Sequence, residues 1–424
     1  MSGGSLGFRV MMTGGWHPSR SIRGSYARYL SGRCIVVGIT GSVAAYRSLD
    51  TARWLLRRGA RVVFAATKPA LEFLGEKLLY WATGERPITE LGGEVEHISF
   101  ARMCDGMIVA PSTLSTAAKI AYGVADNVVV TLAVSFIGLG KPVLLVPAMH
   151  ENMTRTPQYR NTVKLLESEG VVVVPPRVEE ETAKYPDPHL IGRIAAALVG
   201  RGRDLLGRKV VVTAGPTREW LDPVRFISNP SSGKMGVEVA VEAWARGASV
   251  TLVHGWMTVQ PPHITNNVFA GSTLEMRKAL EEAVSDGADI VVASAAPVDF
   301  KPSSRLESKM RSGEHIMLEL EPTVKVIEGV KEKARVLAAF AAETVSSREE
   351  LLKSGMEKME KYDADIVVAN RVGVPWAGFA SDILDALLIW KSGERVRVED
   401  MFGLKKEVIA QRILDTAALI LRGG

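Results

Sequence analysis

Two stretches of the sequence carry residue types suited to holding a phosphate. Ser231-Ser-Gly-Lys-Met-Gly opens an amphipathic pattern over 233–246. Small residues and backbone N–H groups therefore meet at a helix N-terminus, where an anion is stabilised. The stretch is not a Walker A loop, because Met235 stands where Ser or Thr is required and Ser228 where the first glycine is. Gly38-Ile-Thr-Gly-Ser-Val-Ala-Ala-Tyr follows an apolar run in the same way, without the G-x-G-x-x-G spacing of a dinucleotide fingerprint. A plain tight turn before a helix explains either stretch taken alone.

Other apolar runs in the first half end in polar residues of the same kind: Ala66-Thr67, then Ala110-Pro-Ser-Thr-Leu-Ser-Thr, then Pro147-Ala-Met-His-Glu-Asn-Met. Hydroxyl residues often only cap a helix. In an open parallel sheet, however, ligands sit beyond the carboxyl ends of the strands, and these turns share one such edge. A phosphorylated planar cofactor in that crevice accounts for all of them together. His97 precedes Ile98-Ser-Phe-Ala-Arg and reads as a helix cap, a surface histidine or a catalytic group. There is no H-E-x-x-H and no Cys/His cluster at metal spacing, so no metal site built from side chains is expected.

These residues need a scaffold, and the apolar pattern supplies one. Short runs at 34–39, 61–66, 107–110, 128–132, 143–146 and 171–174 read as strands. A helical pattern after the first carries Tyr46, Leu49, Trp54 and Leu55 inward and ends at Gly59. After the connector Gly200-Arg-Gly-Arg-Asp the alternation restarts. Strands are expected at 209–213, 249–253, 289–293, 336–341 and 365–369, an apolar stretch at 384–390, and helices at 233–246, 273–285 and 347–360. Runs apolar on both faces and separated by helices indicate parallel sheets covered on both sides. The expected fold is α/β with two doubly wound domains. Their expected bounds are 33–200 and 201–424, after an extension at 1–32.

Composition narrows the function class. The chain has 424 residues, 47% hydrophobic and 23% charged, as in ordinary globular proteins. Two cysteines, Cys34 and Cys104, make neither a disulfide framework nor a four-cysteine zinc site. A reducing compartment fits, and Cys104 reads as buried packing. The longest nearly apolar stretch, 128–140, is short of the ~20 residues that span a bilayer. The formal charge is +5, but residues 1–33 hold five arginines and no acid, and removing them leaves 47 basic against 47 acidic residues. Neither a nucleic-acid partner nor a membrane is expected. The Arg/Gly/Ser-rich start reads as a disordered extension or a transit peptide.

The motifs of the first half resemble those of the flavoprotein cysteine decarboxylases. From residue 33 to 424 the chain resembles the bifunctional phosphopantothenoylcysteine decarboxylase/phosphopantothenate–cysteine ligases of coenzyme A synthesis, in an archaeal-like form. The matching pieces are Gly41-Ser-Val-Ala-Ala-Tyr, His97-Ile, the 110–116 and 147–153 turns, and Gly123-Val-Ala-Asp-Asn. The resemblance implies a flavodoxin-like domain that binds FMN through Gly41, Ser42, Thr67, Ser112, Thr113 and Met149. His97 would serve oxidation of the substrate thiol, and FMN would hold the hydride and return it after CO₂ leaves. His150 stands where bacterial members carry an Asn for the substrate carboxylate, with Thr154 in place of a Trp. Residues 175–186 lack the cysteine that many members place on a mobile lid, and Lys184 or Tyr185 is the candidate proton source there.

The second half matches over a longer run. Thr213-Ala-Gly-Pro-Thr-Arg-Glu and Leu221-Asp-Pro-Val-Arg-Phe-Ile-Ser-Asn-Pro-Ser-Ser-Gly-Lys-Met-Gly are followed in order by Ala295-Ala-Pro-Val-Asp-Phe-Lys-Pro, Ser308-Lys-Met-Arg, Leu320-Glu-Pro-Thr, Ala339-Phe-Ala-Ala-Glu-Thr and Asp365-Ile-Val-Val-Ala-Asn. The resemblance implies a Rossmann-like ligase that joins 4′-phosphopantothenate to L-cysteine with CTP and Mg²⁺. Ser231, Gly233, Asp299, Lys309, Lys358 and Lys361 would hold CTP, and Asn229 would orient the acyl-cytidylate. It further implies a cytoplasmic homo-oligomer built from flavin-domain trimers and ligase-domain dimers. Two alternatives stand beside it: an active ligase fused to a flavin domain of altered or lost decarboxylase activity, and a flavin-binding regulatory protein.

Overall fold

The computed structural model describes residues 17–179, 182–311, 313, 315–373, 381–393 and 395–423. It divides into two compact units, Met1–Val199 and Gly200–Gly424. In the first, strands β1 (Cys34–Ile39), β2 (Arg61–Ala66), β3 (Gly106–Ser112), β4 (Val143–Pro147) and β5 (Val172–Val173) form one parallel sheet in the order β2-β1-β3-β4-β5. That is the flavodoxin order, whose switch point lies between β1 and β3. Every residue of β1 and β3 is buried, as parallel strands under helices on both faces must be.

Several expectations are corrected here. Residues 128–132 do not form a strand but open the helix Val128–Gly138. The Asn127 side chain accepts hydrogen bonds from Val129 N (3.1 Å) and Val130 N (3.2 Å), which caps the helix. An apolar run without periodicity fits a buried helix as well as a buried strand. Tyr46 does not turn inward: it is 56% exposed, and the helix Arg47–Arg57 instead buries Ser48, Thr51, Ala52, Trp54, Leu55 and Leu56.

The start of the chain is not disordered throughout. Residues 1–16 lie outside the described residues, but 17–32 pack against the end of the helix Arg47–Arg57. Gly24 N, Tyr26 N and Leu30 N donate to Leu56 O, Arg57 O and Arg58 O, and Leu30 is buried. The Arg58 guanidinium lies 4.3 Å from the Tyr26 ring centre. Cys34 and Cys104 are both buried, and they are not separate thiols: a disulfide joins them.

In the second unit β6 (Lys209–Ala214), β7 (Ser249–His254), β8 (Asn266–Phe269), β9 (Ala288–Ala293), β10 (Ala334–Glu343) and β11 (Ile366–Arg371) run parallel in the order β8-β7-β6-β9-β10-β11. This is the 3-2-1-4-5-6 order of a Rossmann sheet. β12 (Ile383–Ser392) and β13 (Arg395–Lys405) extend it antiparallel, so the expected apolar stretch at 384–390 is a strand. Among the described residues no helix is long and apolar enough to cross a membrane.

The helix Lys234–Ala245 carries a buried charge network. Arg246, 1% exposed, bridges Asp204 (2.7 Å) and Asp415 (2.9 Å). Glu242 sits beside it, 3.8 Å from Arg201 and 3.9 Å from Arg246, and its Oε1 is buried without a hydrogen-bond partner. Burial, outweighing the two arginines, raises its carboxyl to about 7. A raised carboxyl contributes stability below the unfolded value near 4.5 and loses it as pH rises toward 7. Glu242→Gln is therefore expected to melt several degrees above the parent at pH 8 and nearly with it at pH 4.5. The upper limit of the gain is on the order of 3 kcal/mol, since a tenfold change in proton affinity corresponds to ~1.4 kcal/mol. Thermal unfolding of the full chain at both pH values checks this, and an equal change in melting temperature at both would exclude titration as the cause.

Candidate functional site

The polar turns of the first unit meet at the carboxyl edge of β1–β4. Thr40 Oγ1 ties two of them together, donating to Pro111 O (2.8 Å) and accepting from Thr113 N (3.2 Å). Ser48 Oγ donates to Ala110 O (2.6 Å) on the same turn. A cavity of about 640 Å³ opens here, lined by Gly41, Thr67, Thr113, Lys119, Asp126 and Asn127 among others. A Cβ at Gly41 would stand 2.7 Å from Pro69 Cβ, so only glycine leaves this wall open. The Thr67 hydroxyl is buried against the cavity with no hydrogen-bond partner. A buried hydroxyl without a partner is costly, and a phosphorylated ligand would satisfy it.

The cavity gathers three of the six residues expected at the flavin. Ser42 caps the following turn by accepting from Ala44 N (3.3 Å). Ser112 is fully buried and donates to Thr113 O (3.2 Å). Met149 and His150 form a two-residue strand that pairs with 182–183, His150 exposed. His97 lies in the helix Glu96–Met103, not before it, with Nδ1 buried and without a partner. Tyr185 does not suit proton donation. Its hydroxyl is buried against Thr51 Oγ1 (2.9 Å), and burial pushes its pKa far above the ordinary phenol value. Residues 180 and 181 of the lid stretch lie outside the described residues.

The second unit builds its cavity, of about 370 Å³, at the carboxyl ends of β6, β9, β10 and β11. Asn229, Ser231, Gly233, Asp299 and Lys358 line it, brought together from separated stretches of chain. Gly233 caps the helix Lys234–Ala245 at φ +79°, a conformation open to glycine. A Cβ at Gly236 would stand 2.5 Å from Ala214 Cβ, so the helix lies hard against the end of β6. The Asn229 amide donates to Ala296 O (3.2 Å) and Pro297 O (3.0 Å). Its two N–H groups being engaged, its carbonyl oxygen is the end left to face a ligand.

The cations of this cavity are only partly those read from the sequence. Lys358 is pushed down by burial and by Lys361, and the two ammonium groups lie 5.1 and 5.4 Å from the Tyr362 ring centre. Lys361 is not among the lining residues, and neither is Lys309, which is exposed on the irregular segment after Pro302. Sequence reasoning missed Lys325, Lys234 and Lys406, all of which line the cavity. Lys325 pairs with Asp299 at 2.7 Å; the signal that marks it is its place two residues past Leu320-Glu-Pro-Thr. Lys234 pairs with Asp382. Lys406 is 3% exposed, and burial, with Lys234 next, lowers its ammonium to about 8. Nothing local in the sequence marks Lys406. Among the described residues no cluster of three His, Cys, Asp or Glu is placed to hold a metal.

Comparison with known proteins places both units. Residues 23–200 match the family described as Flavoprotein, and residues 205–420 match the DNA/pantothenate metabolism flavoprotein C-terminal domain. The coenzyme A biosynthesis bifunctional protein CoaBC of Thermococcus kodakarensis is 35% identical over 407 residues, 94% of this chain and 98% of that protein. The proteins of the same name from Methanocaldococcus jannaschii and Escherichia coli K12 are 32% and 31% identical, covering 96% and 91% of this chain and 98% and 97% of their own. The crystal structure of a CoaBC C-terminal domain aligns with 52% of this chain and all of its own, at 31% identity and a TM-score of 0.43.

Proposed function

The chain belongs to the family of bifunctional coenzyme A biosynthesis proteins, a flavoprotein decarboxylase joined to a ligase, and from that premise we propose which residues carry each reaction. In the ligase half, a carboxylate oxygen of 4′-phosphopantothenate attacks the α-phosphorus of CTP and pyrophosphate leaves. The cysteine amine then attacks the acyl carbon of the acyl-cytidylate and CMP leaves. Ser231 and Gly233 stand on the cavity wall at the N-terminus of the helix Lys234–Ala245, whose positive dipole end favours the phosphates. Lys309, Lys358 and Lys361 answer the triphosphate charge, Asp299 contacts the nucleotide, and the Asn229 carbonyl orients the activated acyl group. Mg²⁺ arrives with CTP and is held mainly by the phosphates.

In the flavin half the substrate is phosphopantothenoylcysteine and the product 4′-phosphopantetheine, a loss of CO₂ with no net redox change. Bound FMN supplies a two-electron acceptor that is restored within the turnover. The open wall at Gly41 and the unpartnered Thr67 hydroxyl suit its phosphate, with Ser42, Ser112, Thr113 and Met149 around it. His97 takes the thiol proton, and His150 donates to the substrate carboxylate. The protein acts in the cytoplasm on small molecules as a homo-oligomer, with trimers of the flavin half and dimers of the ligase half.

The observation that carries this reading is the single cavity that gathers Asn229, Ser231, Gly233, Asp299 and Lys358. Its test is a one-pot reaction of purified protein with FMN, Mg²⁺, CTP, 4′-phosphopantothenate and cysteine, followed by mass spectrometry. Appearance of 4′-phosphopantetheine with CMP is expected. Accumulation of phosphopantothenoylcysteine instead would leave the ligase standing and assign the flavin half an altered chemistry, in line with the missing lid cysteine and the buried Tyr185.

A further inference from the structure

We propose that Asp222 is a positioning residue of the ligase half: its carboxylate fastens the segment that carries Lys309 and so fixes where the Lys309 ammonium can reach. The inference rests on the role proposed for Lys309 in the ligase reaction.

Asp222 sits in the turn joining the short strands Arg218–Trp220 and Phe226–Ser228, with no exposed surface. Its Oδ1 accepts from Val224 N and Arg225 N, both at 2.7 Å. Those two bonds are an ordinary turn device that an Asp or Asn makes for its own backbone. The other oxygen does something the turn does not need. Oδ2 accepts from Met310 N at 3.1 Å and from Arg225 Nη1 at 2.9 Å, and the same Arg225 Nη1 donates to Met310 O at 3.0 Å. Met310 is thus gripped at both its N–H and its carbonyl by one ion pair.

A second tie lies four residues upstream, where Leu306 N donates to Leu221 O at 2.9 Å. Residues 303–310 have no helix or strand, and Lys309, which lies between the two ties, is exposed. An irregular exposed segment keeps most of its backbone freedom unless something removes it, at ~1–2 kcal/mol per ordered residue. Here the removal falls on the residue next to Lys309. Burial opposes the charge on Asp222, yet the N–H groups of Met310, Val224 and Arg225 outweigh it and hold the carboxyl down at about 2. The clasp therefore stays charged at neutral pH and well below it.

Asp222→Asn separates the two duties of this side chain. An amide keeps an oxygen for Val224 N and Arg225 N but presents NH₂ to Met310 N, which can no longer donate to it. A double-mutant cycle with Lys309→Gln reads whether Asp222 acts through Lys309. CMP formation in the full-length protein is expected to fall 10–100-fold in Asp222→Asn, a misplacement of about 1 Å being enough for that. In the Lys309→Gln background the same substitution should change the residual rate less than about twofold. Hydrogen exchange at the Met310 amide should accelerate, and decarboxylation of supplied phosphopantothenoylcysteine should be unchanged. Equal losses in both backgrounds, or no loss, would overturn the proposal. An intact ligase in Lys309→Gln alone would overturn the Lys309 assignment itself, and the clasp with it. Should Asp222→Asn reduce the yield of folded chain, Met310→Pro deletes the same N–H from the exposed side. It must show the same dependence on Lys309.

Discussion

Lys309→Gln is expected to lower CMP formation by two to three orders of magnitude while CO₂ release from supplied phosphopantothenoylcysteine stays at the parental rate. Attack on the α-phosphorus moves negative charge onto the departing pyrophosphate, and a cation aimed at that charge acts mainly in the transition state. The lysines inside the cavity are poorly placed to supply all of it. Lys325 is already matched by Asp299 at 2.7 Å and Lys234 by Asp382. Lys309 differs from them: no ion pair involves it among the described residues, and its segment is exposed. In the role proposed for it, its ammonium meets a bound triphosphate without first breaking such a pair. Loss of one such donor commonly costs ~10²–10³ in rate. The glutamine keeps a hydrogen-bond donor on a side chain one atom shorter, so the experiment removes the charge while leaving most of the side chain in place. Equal damage to CO₂ release in a folded protein would mean that the two reactions do not divide between the two units.

The parts of the molecule that are legible in the sequence are those in which a local pattern and the tertiary environment agree. Strands β1, β2 and β6 are apolar on both faces and bounded by turns, and the structure buries them on both faces. The helix at 128–138 reads as a strand because Val, Val, Val and Leu fill it without a 3.6-residue period, and only Asn127 announces a helix start. The packed stretch at 17–32 escapes notice for a different reason. Its Arg, Gly and Ser content is that of a disordered tail, and its order comes from backbone bonds to residues 56–58 and an arginine laid on Tyr26. The pairing of Cys34 with Cys104 spans 70 residues, and no spacing rule links two cysteines that far apart. The same holds for the cavity lysines. Its place in the helix before Asp365 brings Lys358 to notice and Lys325 stands two residues past a motif, whereas Lys406 becomes a cavity residue only when the helix Lys406–Leu421 packs against the helix Lys234–Ala245.

His97→Asn is expected to abolish CO₂ release and leave CMP formation unaltered. Carbon–hydrogen cleavage next to sulfur is easiest when the sulfur already carries the negative charge, and a cysteine thiol with a pKa near ~8.5 is mostly protonated at neutral pH. A positioned base that takes this proton contributes ~10²–10⁴ in rate. His97 has the local features of such a base. Its helix Glu96–Met103 packs beside the helix Val128–Gly138, and the latter begins at Asn127, on the wall of the cavity that holds Thr67. One imidazole nitrogen, Nδ1, is buried and without a partner, so the ring is not committed to a structural hydrogen bond through that atom. Asparagine places an amide of similar reach there but cannot accept a proton near neutral pH. If the role is proton transfer, the variant retains the yellow colour and flavin content of the parent and loses only turnover. Loss of flavin together with turnover would instead make His97 a cofactor-binding residue. A variant that lost CMP formation as well would argue that the helix carrying His97 supports the whole chain rather than one reaction. The two substitutions, His97→Asn and Lys309→Gln, are therefore most informative as a mixture: if each unit does one reaction and the intermediate is free to diffuse, equal amounts of the two single variants should together convert 4′-phosphopantothenate to 4′-phosphopantetheine, which neither does alone.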